Sequence, residues 1–238
     1  LVRPGTYEVV SSRGPECTLH SSQVTVRSGQ TLNLSHVVQD VVDSRGWLGI
    51  DTHVHSLHSL DSNSPLEERV LQSAAEGVEW IVSTDHNFIT DFAPTIEALG
   101  LTDWIRSGVG LELTTLEAGH FNGFPLEYDP GPVAHGVFGW AQRPPAEIFR
   151  TLRELGRHGP ADTLVQVNHP RDAIMGYFSQ FGRSGVDHSE LPLDDTDELL
   201  AGLFEGANFG ASGPQFLDSE GRTTFSFDFD LLEILNGK

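Results

Sequence analysis

Cationic side chains are scarce in this sequence. Lysine and arginine together number 14 against 34 aspartates and glutamates, a formal charge of −20 over 238 residues. Such a chain is not organised around a nucleic-acid backbone, because phosphate binding needs clustered cations. The only lysine is Lys238, so no interior lysine is available to bridge metals as a carboxylated side chain. The single cysteine, Cys17, excludes an intrachain disulfide framework. No apolar run approaches the ~20 residues of a membrane span, and no signal peptide is visible. The first residue is Leu1 and the only methionine is Met175, so the sequence is expected to be a processed or excerpted piece. Its length suffices for one core of α/β-barrel size, or a core with a small module.

The most informative stretch that is present is Gly49-Ile50-Asp51-Thr52-His53-Val54-His55. A β-prone run ends in His-x-His. Side chains at i and i+2 of a strand point the same way, so His53 and His55 aim two imidazoles at one spot. Before it, residues 1–46 carry short alternating runs: Thr6–Val10, Gln23–Val26 and Thr31–Leu34. Turn residues separate them, which predicts a small antiparallel β module, incomplete at its start. From Trp47 onward strands alternate with helices, which argues for a largely parallel sheet or barrel over 47–238.

Ser64 is expected to cap the first helix, with Pro65 at its first position and Glu67 completing a capping box. Leu66, Val70, Leu71, Ala74, Ala75 and Val78 would form its buried stripe, with Gly77 as the stop. Residues 80–84 read as the second strand, 109–113 as the third and 120–126 as the fourth. A helix is marked by Ile148, Leu152 and Leu155, followed by a strand over 164–168. Residues 175–195 read as a long loop. Leu203-Phe204-Glu205 and residues 231–235 are the last strand candidates.

Metal-type residues recur at the strand ends of this frame. His53 and His55 end strand one, and Asp85-His86 follows strand two. Glu112 falls at the end of strand three, His120 opens the next β-like run, and His169 follows the strand ending at Asn168. Barrel enzymes carry their chemistry at such positions. The set is rich in nitrogen, has carboxylates and has no thiolate. That suits Zn²⁺, with Mn²⁺ or Fe²⁺ as alternatives. Asp61 reads equally as part of a polar turn, and Asp85-His86 as a helix cap. Glu112 is the least ordinary, since a carboxylate in an apolar strand needs a cation or strong donors. His20, His36, His135, His158 and His188 read as structural, and Asp228 and Asp230 as the exposed side of a strand or turn.

Amidohydrolase barrels that bridge two metals with a carboxylated lysine are excluded by the missing lysine. Other motifs occur together: His53-Val54-His55-Ser56, Asp61, Thr84-Asp85-His86, Gly110-Leu111-Glu112 and Asn168-His169-Pro170. In that combination the chain resembles the PHP (polymerase and histidinol phosphatase) superfamily. Gly119-His120-Phe121-Asn122, Phe124-Pro125-Leu126, Asn168-His169-Pro170-Arg171 and the Pro4-Gly5-Thr6-Tyr7 module resemble its carbaryl-hydrolase-like (CehA/McbA) branch.

The resemblance covers essentially the whole chain and implies an α/β fold, a distorted seven-stranded (βα) barrel behind the small β module. It also implies two to three divalent metals in a complete domain. By analogy His53, His55 and a bridging Glu112 hold the first, Glu112, His120 and His169 the second, and Asp61 and His86 the third. The family's late Asp-x-His does not occur downstream of Glu112, so a sequence ending before the last strand is expected, leaving the second site the complete one. The expected function is metal-dependent hydrolysis of an ester, carbamate or amide by a metal-activated water. Arg171 would stabilise the developing oxyanion, and Tyr177, Phe178 and Phe181 would line an apolar pocket. The alternatives are a phosphoesterase of small phosphate esters and a non-catalytic metal-binding module. The expected partner is a small-molecule substrate, with neither nucleic acid nor membrane, and the branch points to a periplasmic or extracellular location.

Overall fold

A computed structural model describes residues 1–172, 175–181 and 217–234. The strand candidate Leu203-Phe204-Glu205, His188, most of the expected loop and Leu235 lie outside the described residues. The chain is a mixed α/β protein, and among the described residues its strands form separate sheets with no closed barrel. It divides into two compact units. One comprises 1–52, 64–81 and 92–107, the other 53–63, 82–91 and 108–238. No helix among the described residues is long and apolar enough to cross a membrane.

The first unit begins with an antiparallel pair, β1 (Gly5–Ser11) and β2 (His20–Val26), in register from Gly5 opposite Val26 to Ser11 opposite His20. His36 bridges the pair, 2.7 Å from Ser11 Oγ and 2.9 Å from Ser22 Oγ, the structural role expected of it. The third alternating run, residues 31–34, is irregular. Leu32 and Leu34 remain 40% and 45% exposed. Alternation makes a strand only where a neighbour completes the ladder and one face is buried.

Three strands follow: β3 (Ile50–Val54), β4 (Trp80–Ser83) and β5 (Arg106–Val109). They form a sheet in the order β3-β4-β5. Between them lie α1 (Leu66–Ala75) and α2 (Ala93–Ala98), which pack on each other. Pro65 occupies the N-cap of α1 and no side chain caps it, so the expected Ser64 box does not form. In α1 Val70 is buried, with Leu66 and Ala74 half-buried on the same side and Val78 half-buried just past the helix end, while Leu71 is 48% exposed and Ala75 exposed. Each step along a helix turns about 100°, which carries Leu71 and Ala75 past the buried edge. Gly77 ends the helix at φ +78°, a left-handed conformation that favours glycine.

The second unit is built on a four-stranded sheet, β6-β7-β8-β9: β6 (Leu111–Thr114), β7 (His120–Phe124), β8 (Leu164–Val167) and β9 (Leu231–Leu232). β6, β7 and β8 are antiparallel neighbours, and only β8–β9 is parallel. The expectation of a largely parallel sheet therefore does not hold here. The apolar run 109–113 also proves not to be one strand. It breaks at Gly110, where a Cβ would lie 2.7 Å from a Val82 methyl and 2.8 Å from the Ser83 carbonyl oxygen. The absent side chain lets the backbone pass these groups as it leaves one sheet for the other.

The period of two along β6, β7 and β8 sorts most of their side chains by polarity, with Phe124 and Leu164 the apolar residues on the polar side. Leu111, Leu113, Phe121, Val165 and Val167 enter the core, with Ile148, Phe149 and Leu152 of α3 (Pro145–Glu154). The positions of Pro145, Ile148, Phe149 and Leu152 make one helical face, and Pro145 suits the first turn because no N–H is needed there. Tyr177 is also core, in edge contact with Phe121 at 5.2 Å. It begins the short helix α4 (Tyr177–Gln180), so the expected loop is helical at its start. The opposite set, Glu112, Thr114, His120, Asn122, Gln166 and Asn168, is polar. It forms the floor of the site.

Candidate metal centre

Glu112 has 0% exposure. Five imidazoles meet its carboxylate. Oε1 lies 3.1 Å from His120 Nδ1, 3.4 Å from His53 Nε2 and 3.5 Å from His169 Nε2. Oε2 lies 2.8 Å from His86 Nδ1 and 3.3 Å from His55 Nε2. Asn168 Nδ2 donates to Oε1 at 2.9 Å and to Asn122 Oδ1 at 2.7 Å, and Gln166 Nε2 donates to Asn168 Oδ1 at 3.0 Å. The neutral amides thus orient the carboxylate from beneath, and the histidines approach it from the other sides.

The elements explain the convergence. His53 lies in β3 and His55 just beyond it. His86 follows β4, paired with Glu112 in an isolated bridge. Glu112 is the second residue of β6, not the end of a strand as expected. His120 opens β7, opposite Thr114. In an antiparallel pair the start of one strand lies beside the end of the other, so His120 still reaches the same rim. His169 stands two residues past β8 at φ +25°, a strained backbone for a non-glycine residue. Asp61 completes the rim, its side chain 59% exposed, 3.4 Å from His86 Nε2 and 3.6 Å from His55 Nδ1.

Asp85 is not a helix cap. Fully buried, it accepts hydrogen bonds from the Ser56 amide, the Ser56 hydroxyl at 2.7 Å and the Thr90 hydroxyl. It ties the turn after His55 to the turn after His86.

Charge distribution follows from these contacts. Burial opposes ionisation of Glu112, but hydrogen bonds from His120, His169, His53 and His86 hold its pKa well below the usual carboxylate range. Burial likewise opposes a proton on His53, yet Glu112 and Glu233 on its two sides raise its pKa to about 10. Burial also opposes protonation of His86, but Glu112 and Asp61 outweigh it and raise its pKa. Burial, together with neighbouring imidazoles, lowers the pKa of both His55 and His120. Those two therefore favour the neutral form, the form that ligates a metal.

The donor set fits a cation. Three groups bring ligand atoms within 4.8 Å of one another: His53-His55-Glu112, His55-Asp61-His86 and His86-Glu112-His120. Two donors on a tetrahedral ion with ~2.1 Å bonds stand roughly 3.4 Å apart, close to the separations around Glu112. His120 Nε2 and His169 Nδ1 are buried and make no hydrogen bond. Such atoms are costly to bury unless something coordinates them. These buried histidine and glutamate groups can therefore bind a metal ion. The chain matches no protein-family model and no curated protein.

All seven expected ligands gather here, with a partition that differs from the expected one. His120 groups with His86 and Glu112, while His169 reaches Glu112 without joining any of the three groups. Arg171 lies outside the cluster. It is exposed and lines an adjoining cavity of about 420 Å³ with His169, Pro170, Asp172, Phe178, Leu232, Glu233 and Ile234. Of the three expected pocket aromatics, Phe178 lines this cavity and Tyr177 is core; Phe181 packs against that core. Sequence reasoning missed Glu233, whose Oε1 lies 2.9 Å from His53 Nδ1. The available signal was a carboxylate inside the apolar run 231–235, the same feature that singled out Glu112.

Proposed function

We propose that the chain is a metal-dependent hydrolase on a distorted PHP-type barrel, acting on an ester, carbamate or amide. The observation that carries this reading is the buried Glu112 carboxylate, with five imidazole nitrogens within 3.5 Å. The chemistry of the donors favours Zn²⁺, with Mn²⁺ and Fe²⁺ as alternatives. His53, His55 and Glu112 would hold one ion, and His86, Glu112 and His120 another, with Asp61 serving the outer group. A bound divalent ion supplies Lewis acidity and a water acidic enough to ionise near neutral pH.

The chain's own residues supply the rest. Asn168 and Asn122 keep the carboxylate in one orientation. Phe178 and Leu232 offer apolar walls to a substrate group in the cavity beside His169. Arg171, at the same cavity, is placed to meet an oxygen that gains negative charge. Among the described residues Arg171 is the one arginine at this cavity, which suits a carboxylic or carbamic ester better than a doubly charged phosphate. The test is hydrolysis of a naphthyl carbamate and of p-nitrophenyl phosphate by Zn²⁺- and Mn²⁺-loaded chain. Chelator-sensitive cleavage of the carbamate is expected. Preferential cleavage of the phosphate would assign a phosphoesterase instead. A fully loaded chain inert to a broad ester and phosphate panel would make it a binding module.

A further inference from the structure

We infer that Glu233 is a positioning residue of the metal centre, one that sets the tautomer of His53. The inference rests on the metal-centre reading above. Glu233 directly follows β9, and its amide donates to the Val167 carbonyl at 2.9 Å, which continues the parallel pairing with β8. Its two carboxylate oxygens serve two different ligand carriers. Oε1 lies 2.9 Å from His53 Nδ1, and Oε2 accepts the His169 backbone N–H at 2.7 Å. One side chain thus fixes a ring on one strand and the backbone that carries a second ring.

The chemistry of the acceptor makes the effect directional. An ionised carboxylate accepts and does not donate, so the nitrogen facing it carries the hydrogen. With Nδ1–H committed to Glu233, the lone pair of a neutral His53 lies on Nε2. That nitrogen is the one turned to Glu112, 3.4 Å from Oε1. His55 and His86 are held differently. His55 Nδ1 faces the Ser59 hydroxyl at 2.7 Å, and His86 Nδ1 lies between the Thr114 hydroxyl and Glu112 Oε2. A hydroxyl can donate or accept, so neither hydroxyl by itself selects a tautomer. Asp61 also faces His55 Nδ1 at 3.6 Å and His86 Nε2 at 3.4 Å, but its side chain is 59% exposed and both contacts are longer than the 2.9 Å between His53 Nδ1 and Glu233. A carboxylate–histidine–metal relay of this kind orients the ring and raises its basicity as a ligand.

Glu233→Gln isolates the role. Its amide oxygen can keep the bond from the His169 N–H. Its NH₂ group then faces His53 Nδ1 and favours the tautomer with hydrogen on Nε2, the wrong nitrogen for coordination. The measurement is Zn²⁺ affinity against a competing chelator, paired with ¹⁵N NMR of the His53 ring and thermal unfolding of the metal-free chains. The expected result is a loss of affinity of about 10- to 100-fold, with the variant still folded. In the Zn²⁺-loaded wild type, hydrogen on Nδ1 and metal on Nε2 are expected. A folded variant whose affinity stays within about twofold of wild type would overturn the inference. So would a loaded wild type with His53 coordinated through Nδ1, a result available even if the variant fails to fold. A wild-type chain that binds no Zn²⁺ would remove the metal centre altogether. A chain that binds metal as described but hydrolyses nothing would leave the role of Glu233 standing and end only the hydrolase reading.

Discussion

Replacing Glu112 with glutamine keeps the side-chain volume and removes the charge on which the whole cluster converges. In the metal-free chain, His53 and His86 would keep their burial but lose the carboxylate that favours their protonated forms. Breaking a buried ion pair by neutralising one member costs about 3–5 kcal/mol. Glu112 is fully buried, so little solvent screening reduces that figure. For a chain of this length each kcal/mol shifts the melting temperature by about 2–4 °C, so a fall of roughly 6–20 °C is expected. Metal binding should fall with it, because Glu112 belongs to two of the three ligand groups and the third, His55-Asp61-His86, is the only one left intact. The assay is a thermal melt of chelator-treated protein, followed by elemental mass spectrometry of protein reloaded with Zn²⁺. An unchanged melting temperature together with an unchanged metal content would refute the reasoning.

Two further outcomes follow from the same geometry. The folded pKa of His53 is raised to about 10 from an ordinary 6.5, so its stabilisation is complete below about pH 6.5 and is lost as pH rises through 10. Glu112 is shifted the other way, so its contribution is present above its ordinary pKa of 4.5 and is lost as pH falls towards its depressed folded value. Urea midpoints of the metal-free chain should therefore decline at both extremes; a midpoint flat from pH 7 to pH 10.5 would contradict the His53 assignment. Asp61→Asn changes a side chain that is 59% exposed, so stability should move by less than about 0.5 kcal/mol. It should weaken metal binding at the His55-Asp61-His86 group alone, which a Zn²⁺ titration resolves as loss of one class of site with the tighter class retained.

The ligands themselves were legible because their signals are local. His53 and His55 share a strand face two residues apart, and Glu112 stands out as a carboxylate between Leu111 and Leu113. The α3 helix was equally readable from the positions of Ile148, Leu152 and Leu155, since helical spacing depends only on near neighbours. Where local pattern misled, a long-range fact decided the outcome. Residues 109–113 look like one strand, but Gly110 must pass Val82 and Ser83, and that crowding is set by β4. Leu71 fits an apolar helix pattern, yet the neighbours that bury α1 do not reach it. The pairing of β6, β7 and β8 is antiparallel although the alternation of elements suggested otherwise, because alternation does not specify which strands become neighbours.

The sequence by itself thus determined the residue types of the site and most of its members, since spacing along a strand orients side chains without reference to the rest of the chain. Only the tertiary structure decided which imidazole shares which carboxylate oxygen, that Asn168 supports Glu112 from below, and that Glu233 reaches His53 across 180 residues of sequence. Those contacts depend on strand register and sheet order, and both arise from packing between segments that no local pattern connects.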